Sequence, residues 1–334
     1  MENRMIVSPS PHIHSGDSIS KNMYGVLIAL VPAFLFSVYQ FGWDSLLVTA
    51  ICVLTCCFSE YFITTFMLRR KNYIFDGSAI LTAVLLAFNL PSTLPWWIVI
   101  IGSFIAIAIG KMAFGGLGNN IFNPALVGRV FLLIAFPAQM TTWPVASHLA
   151  KVVDGETMAT PLSFMKEAIK GTEGALEQIP SSLDLFLGLN PGSMGEISAI
   201  ALLIGLVYML VRKIITWHTP ISILLTVFVF SGILYLVNPS IYPSPVTHLL
   251  TGGLMLGAIF MATDYVSSPI THSGQLVYGV CIGLLTVIIR TWGAYPEGMS
   301  FAILIMNAFT PIINLYCKPK HFGEKVKKVK EATK

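Results

Sequence analysis

Charge is scarce in this chain: of 334 residues, 11% are Asp, Glu, Lys or Arg and 55% are hydrophobic, against about 25% and about 45–50% in an average soluble domain. That balance excludes a purely aqueous fold, because a water-soluble core cannot absorb so much apolar side chain. Cysteine ligation is missing too. Cys52, Cys56, Cys57, Cys281 and Cys317 lie in or at the ends of apolar stretches with no C-x-x-C or Cys/His spacing. They read as small buried hydrophobes and exclude a zinc site, leaving only an iron–sulfur site shared with another chain as the alternative. No phosphate-binding Walker motif and no dinucleotide fingerprint occurs. The polar opening MENRMIVSPSPHIHSGDSISKN lacks the apolar core and cleavage site of a signal peptide.

What is present is a series of apolar stretches, at about 23–42, 45–68, 77–91, 95–114, 123–141, 196–213, 218–238, 246–263, 274–292 and 299–317. Most are near 20 residues and match about 30 Å of hydrocarbon at about 1.5 Å per residue; the third is short, with Pro91 and Pro95 bracketing its turn. The expected fold is an all-α polytopic membrane protein of about ten transmembrane helices. Lys/Arg bias sets its orientation. The tail (Lys318, Lys320, Lys325, Lys327, Lys328, Lys330, Lys334) and the loops at Arg69-Arg70-Lys71 and Arg212-Lys213 fall on one face, which is therefore cytoplasmic, with both termini. The opposite face holds the one extended polar segment, 142–195, and is external.

An internal repeat is visible. GSAILTAVLLAFNLPS resembles GGLMLGAIFMATDYVSSP, and NNIFNPALVGRVF resembles MSFAILIMNAFTPII. Five helices per half is an odd number, so the halves lie upside down to each other, with Asn89 and Asp264 at related positions on opposite sides. Inverted repeats commonly hold ligands or ions at broken helices between the halves. The expected divisions are a cytoplasmic segment 1–22, a first five-helix repeat 23–141, the external loop 142–195, a second repeat 196–317 and a basic tail 318–334.

Residues 154–162 read Asp-Gly-Glu-Thr-Met-Ala-Thr-Pro-Leu, a small-residue turn displaying two hydroxyls. It resembles D-x-x-[ST]-G-A-T, the signature at which flavin transferases move FMN onto the last threonine as a phosphoester. Asp154, Thr157, Ala159 and Thr160 match; Met158 stands where glycine would permit positive φ and a close approach of the transferase. The resemblance then widens. SPSPHIHSGDSISKNMYGVLIALVPA, GGLGNNIFNPALVGR, MATDYVSSPIT and TWGAYPEGMSFAILIMNAFTPIIN are similar to the D subunits of Rnf complexes, ion-translocating ferredoxin:NAD oxidoreductases, and to the B subunits of sodium-pumping NADH:quinone reductases.

That resemblance implies a component of a redox-driven Na⁺ or H⁺ pump in the bacterial cytoplasmic (inner) membrane. It implies FMN on Thr160, a second, noncovalent flavin (riboflavin) in the bundle, and electrons passing between iron–sulfur partners and the flavin. The implied partners are the other membrane, iron–sulfur and flavin subunits and a maturing flavin transferase. Alone, the chain would oxidise neither NADH nor ferredoxin. No metal site and no nucleic-acid partner is expected.

Other residues carry readings of their own. The turn Gly115, Gly116, Gly118 with Asn120, Asn123 and Arg129 could receive a polar or anionic group, as a second-flavin or partner site, through exposed N–H groups and a helix N-terminus; close helix packing is the alternative. Glu60 and Asp264 are acids at membrane depth and candidate ion or coupling residues, unless they snorkel or cap. Arg290 could face the FMN phosphate or reach lipid headgroups. The tail would bind anionic lipid, and the six tryptophans suit interfacial belts. A different class, a small-solute channel with inverted repeats like those of urea transporters, would look alike in hydropathy but has no use for the loop motif.

Overall fold

The computed structural model describes residues 18–69, 76–144, 159–172, 174–188 and 190–318. Ser18 caps α1 (Ile19–Phe41), accepting the Lys21 N–H at 3.2 Å, as N-cap hydroxyls do. Gly42, at φ +64°, turns the chain straight into α2 (Trp43–Phe62), which runs on as a π turn to Met67. α3 (Ser78–Ala87) and α4 (Trp96–Ala108) follow. α5 (Pro124–Ala135) starts at Asn123, whose Oδ1 accepts the Ala125 N–H at 3.0 Å, with Pro124 at the first helical position.

The segment read as an external loop carries short helices of its own. After α6 (Pro137–Met140) come α7 (Pro161–Ile169) and α8 (Ser182–Leu187). The second half is α9 (Ala199–Val211), α10 (His218–Val237), α11 (Pro245–Leu250), α12 (Leu254–Leu256) with a π turn to Met261, α13 (His272–Trp292) and α14 (Met299–Tyr316). Among the described residues, six segments are long and apolar enough to cross a membrane; α3, α5 and α9 are shorter apolar helices. No β-strand element occurs among the described residues.

Contacts between turns sort them onto two faces. On the first face, Tyr265 Oη donates to Ile214 O at 2.6 Å and Thr271 Oγ1 to Cys317 O at 2.8 Å. On the second, Lys166 Nζ donates to Tyr295 O at 2.9 Å, and the Gly195 N–H to Phe88 O at 2.9 Å. Successive segments therefore run alternately between the faces. The packing repeats as well: α2 lies on α3 and α4, and α4 on α5; α10 lies on α11 and α13, and α13 on α14; α1 packs on α9 across the halves.

The eighth span is not the single helix expected over 246–263. It breaks at Thr251–Gly253, and Gly252 sits at φ +67°. Its counterpart in the repeat is Gly77, at φ +81°, ahead of α3. Each glycine adopts the left-handed backbone that a side chain resists, and each opens a short buried helix that ends near Asn89 in one half and Asp264 in the other. The ends of these half-helices approach where Asn89 Nδ2 lies 3.7 Å from Met261 Sδ, and Asn123, the N-cap of α5, donates from Nδ2 to Met261 O at 3.1 Å. Leu35, Leu54, Phe58, Leu225 and Leu236 face outward, which is where lipid would cover them.

Candidate functional site

Thr160 is the N-cap of α7: its Oγ1 accepts the Ser163 N–H at 3.3 Å, while Ser163 Oγ donates back to Thr160 O at 2.6 Å. Pro161 at the first helical position fixes φ and removes one N–H that would lack a partner there. Thr160 edges a cavity of about 300 Å³ on the second face, shared with Ala159, Leu162, Arg129, Glu196, Tyr295 and Glu297 among others. Lys166 bonds the carbonyls of Gly293 and Tyr295, which ties α7 to the loop forming the opposite wall. Asp154 and Thr157, the rest of the flavin-transferase motif, lie outside the described residues.

The floor of the cavity is charged. Arg129 comes from the middle of α5, and its guanidinium grips the Glu297 carboxylate at both terminal nitrogens, Nη1 at 2.8 Å from Oε1. Ser300 Oγ joins the same Nη1. Glu196 belongs to the turn before α9 and accepts the Ser193 N–H at 3.3 Å. A methyl group on Gly253 would touch both Glu297 Oε1 and Glu196 Oε2, so the two carboxylates converge there. Glu196 is pushed up to about 7, first by burial and then by Glu297. Burial would raise Glu297, but Arg129, Arg290 and the Gly253 N–H together hold it below its usual range.

Arg129 therefore parts from the glycine turn with which the sequence groups it. Asn120 and Asn123 line a different cavity, of about 70 Å³, with Lys111, Asp264 and Tyr265 toward the first face. Gly116 borders a separate groove on that face, with Glu60 and Asp76; Gly116 and Gly118 have φ of +101° and +94°, and a Cβ on either would meet nothing. Close packing thus does not require these two glycines; the backbone turn does.

Glu60 is not a lone acid. Lys111 Nζ donates to both its carboxylate oxygens at 2.7 Å and to Ser78 Oγ at 2.7 Å, and Lys111 is 1% exposed. Asp264 accepts from Ser267 Oγ at 2.9 Å just past the second half-helix. Arg290 caps the break in the eighth span instead of reaching outward: Nη1 donates to His248 O at 2.7 Å and Nη2 to Thr251 O at 2.8 Å. Sequence reasoning missed Lys111, Glu196 and Glu297. A lysine inside an apolar stretch was a readable signal for the first; the other two sit in turns that look like ordinary surface. Among the described residues no group of three or more His, Cys, Asp or Glu could hold a metal ion.

The model of the NQR2, RnfD, RnfE family matches residues 6–323. Among curated proteins, the chain is 44% identical to the D subunit of the Na⁺-translocating ferredoxin:NAD⁺ oxidoreductase complex of Acetobacterium woodii, covering 100% of this chain and 99% of that one. It is 42% identical to the D subunit of the proton-translocating ferredoxin:NAD⁺ oxidoreductase complex of Clostridium ljungdahlii, over 96% of this chain and 97% of that one. It is also 38% identical to the D subunit of the ion-translocating oxidoreductase complex of Aliivibrio salmonicida, over 96% and 98%. With nearly its whole length matched, the chain belongs to the NQR2, RnfD, RnfE family.

Proposed function

We propose that this chain is the membrane-embedded D subunit of an ion-translocating ferredoxin:NAD⁺ oxidoreductase complex, and that it carries FMN as a phosphoester on Thr160. Full-length similarity to two proteins of that name carries the first half. It also favours a redox role over a solute channel. The second half is carried by one observation: the last threonine of the motif edges a cavity that also holds a buried arginine.

The residues there fit the group. At about 300 Å³ the cavity reaches the lower end of the range for ligand pockets, roughly 300–1,000 Å³. The α7 N-terminus presents its positive dipole end beside Thr160 Oγ1, which suits a phosphoester. Arg129 Nε is buried and has no partner. When bound, the isoalloxazine supplies the electron-accepting and electron-donating chemistry. Thr160 holds the group without drawing on binding affinity. Leu133, Met140 and Leu162 supply apolar wall that excludes water, and the Glu297–Arg129 pair fixes the charge of the floor.

A tricyclic flavin does not fit the 70 Å³ cavity at Asn120 and Asn123, so no step is derived through one there. The groove beside Gly116 is assigned instead to a partner protein of the complex. The first face is cytoplasmic in this reading, with both termini, and Thr160 is external in a bacterial inner membrane. Maturation then needs a flavin transferase on the external side.

Denatured protein, made in a host that supplies that transferase, is expected to fluoresce in a gel under ultraviolet light. Thr160→Ala abolishes the signal and Thr157→Ala keeps it. A fluorescent Thr160→Ala band would overturn the attachment site.

A further inference from the structure

Glu196 takes no part in holding the phosphoester, yet its surroundings are unusual. Arg129 is 5% exposed, and both its terminal nitrogens are spent on Glu297 and Ser300. Glu196 Oε2 is buried with no hydrogen-bond partner, as is Arg129 Nε. Glu196 forms no ion pair with the other charged groups nearby, although the charge of Arg290 reaches it. Arg290, from α13, spends its terminal nitrogens on the carbonyls of His248 and Thr251. Lys166, from α7, is turned to the carbonyls of Gly293 and Tyr295. Glu167, also from α7, adds a further acid to the cavity wall. Two carboxylates thus converge on Gly253, and the guanidinium that forms an ion pair there is taken by Glu297. A second carboxylate with a buried oxygen and no hydrogen-bonded partner is costly, and a proton on Glu196 relieves that cost.

We infer that Glu196 is the proton-holding residue of the Thr160 cavity, protonated beside an ionised Glu297 and releasing its proton to cavity water, or regaining it, when the charge in the cavity changes. Glu196 lines the cavity while its Oε2 is sealed from solvent, so the carboxyl adjoins both the protected charge pair and the space where a ligand would sit. Its position in the turn ahead of α9, which begins at Ala199, keeps it outside the helical spans. Only the response to ligand charge rests on the flavin reading. The proton itself follows from the Glu196, Glu297 and Arg129 arrangement.

The test is infrared spectroscopy of the full chain purified in detergent, titrated with and without FMN on Thr160. A protonated-carboxyl stretch should fade with a midpoint near 7, the value to which Glu196 is raised. It should be missing from Glu196→Gln at every pH. In Glu297→Gln the midpoint should fall, because the neighbouring anion is gone and Arg129 is released; this variant reads the same carboxyl should Glu196→Gln fail to fold. In Thr160→Ala the band should persist. A midpoint equal to that of the FMN-loaded chain would sink the link to the flavin alone, leaving the proton site standing. No titrating band in the wild type, a band surviving in Glu196→Gln, or an unmoved midpoint in Glu297→Gln would overturn the proposal.

Discussion

Burial decides what the individual charges can do. Lys111 and Glu60 are sealed from solvent and satisfy each other, with Ser78 taking a further Lys111 donor. Removing one partner of such a pair costs about 3–5 kcal/mol, since the other charge is left stranded, whereas replacing both can be nearly neutral. Lys111→Met should therefore lower the unfolding temperature in detergent sharply, and adding Glu60→Gln should restore most of it. A double variant no more stable than Lys111→Met would contradict the pairing. The double variant, which strands neither charge, should also lower ion-coupled transport while leaving covalent flavin content intact; unchanged coupling would remove the Glu60–Lys111 pair from the ion route. Glu196 sets a pH dependence of the opposite sense to most acids. Raised from 4.5 to about 7, it holds in the native state a proton that the unfolded chain has already released. Its contribution to stability is thus complete below about 4.5, falls as pH rises to about 7, and is flat beyond. Thermal melts across that window should show this decline in the wild type and its loss in Glu196→Gln.

The break ahead of the second half-helix backs the cavity wall at Leu162. Gly252 holds φ +67°, and a Cβ there would press on Leu162 and on Arg290 Nη2. Gly252→Ala should then cost more than the roughly 1–2 kcal/mol typical of a left-handed backbone alone. It should also lower flavin attachment, because Leu162 lies two residues from Thr160 in the same cavity wall. Normal attachment in a well-folded Gly252→Ala would contradict that coupling. These elements were partly legible. The alignment of GSAILTAVLLAFNLPS with GGLMLGAIFMATDYVSSP pairs Gly77 with Gly252, and both prove to be left-handed turns at the mouths of short helices. The break itself was hidden, since Leu, Met, Ile and Phe on its far side read as continuous apolar span. Arg129 was misplaced for a geometric reason. Six residues beyond Asn123 is roughly 9 Å along a helix at 1.5 Å per residue, which carries the side chain away from the glycine turn toward the opposite face. Its partner Glu297 lies 168 positions away, beyond any local pattern.

For the whole molecule, hydropathy and the odd helix count per half were enough to give the layout: segments alternating between two faces, and halves packed in matching order. What pattern could not supply was depth, because the cavity floor is assembled from α5, the turn before α9 and the turn before α14. The proposed function places a redox group on one threonine at the rim of that cavity, on the second face. The most direct measurement is a mass spectrum of the peptide containing Thr160, taken from native membranes. This peptide should carry the mass of FMN, with fragment ions locating it on Thr160 and not Thr157. An unmodified peptide from a complex active in electron transfer would contradict the assignment.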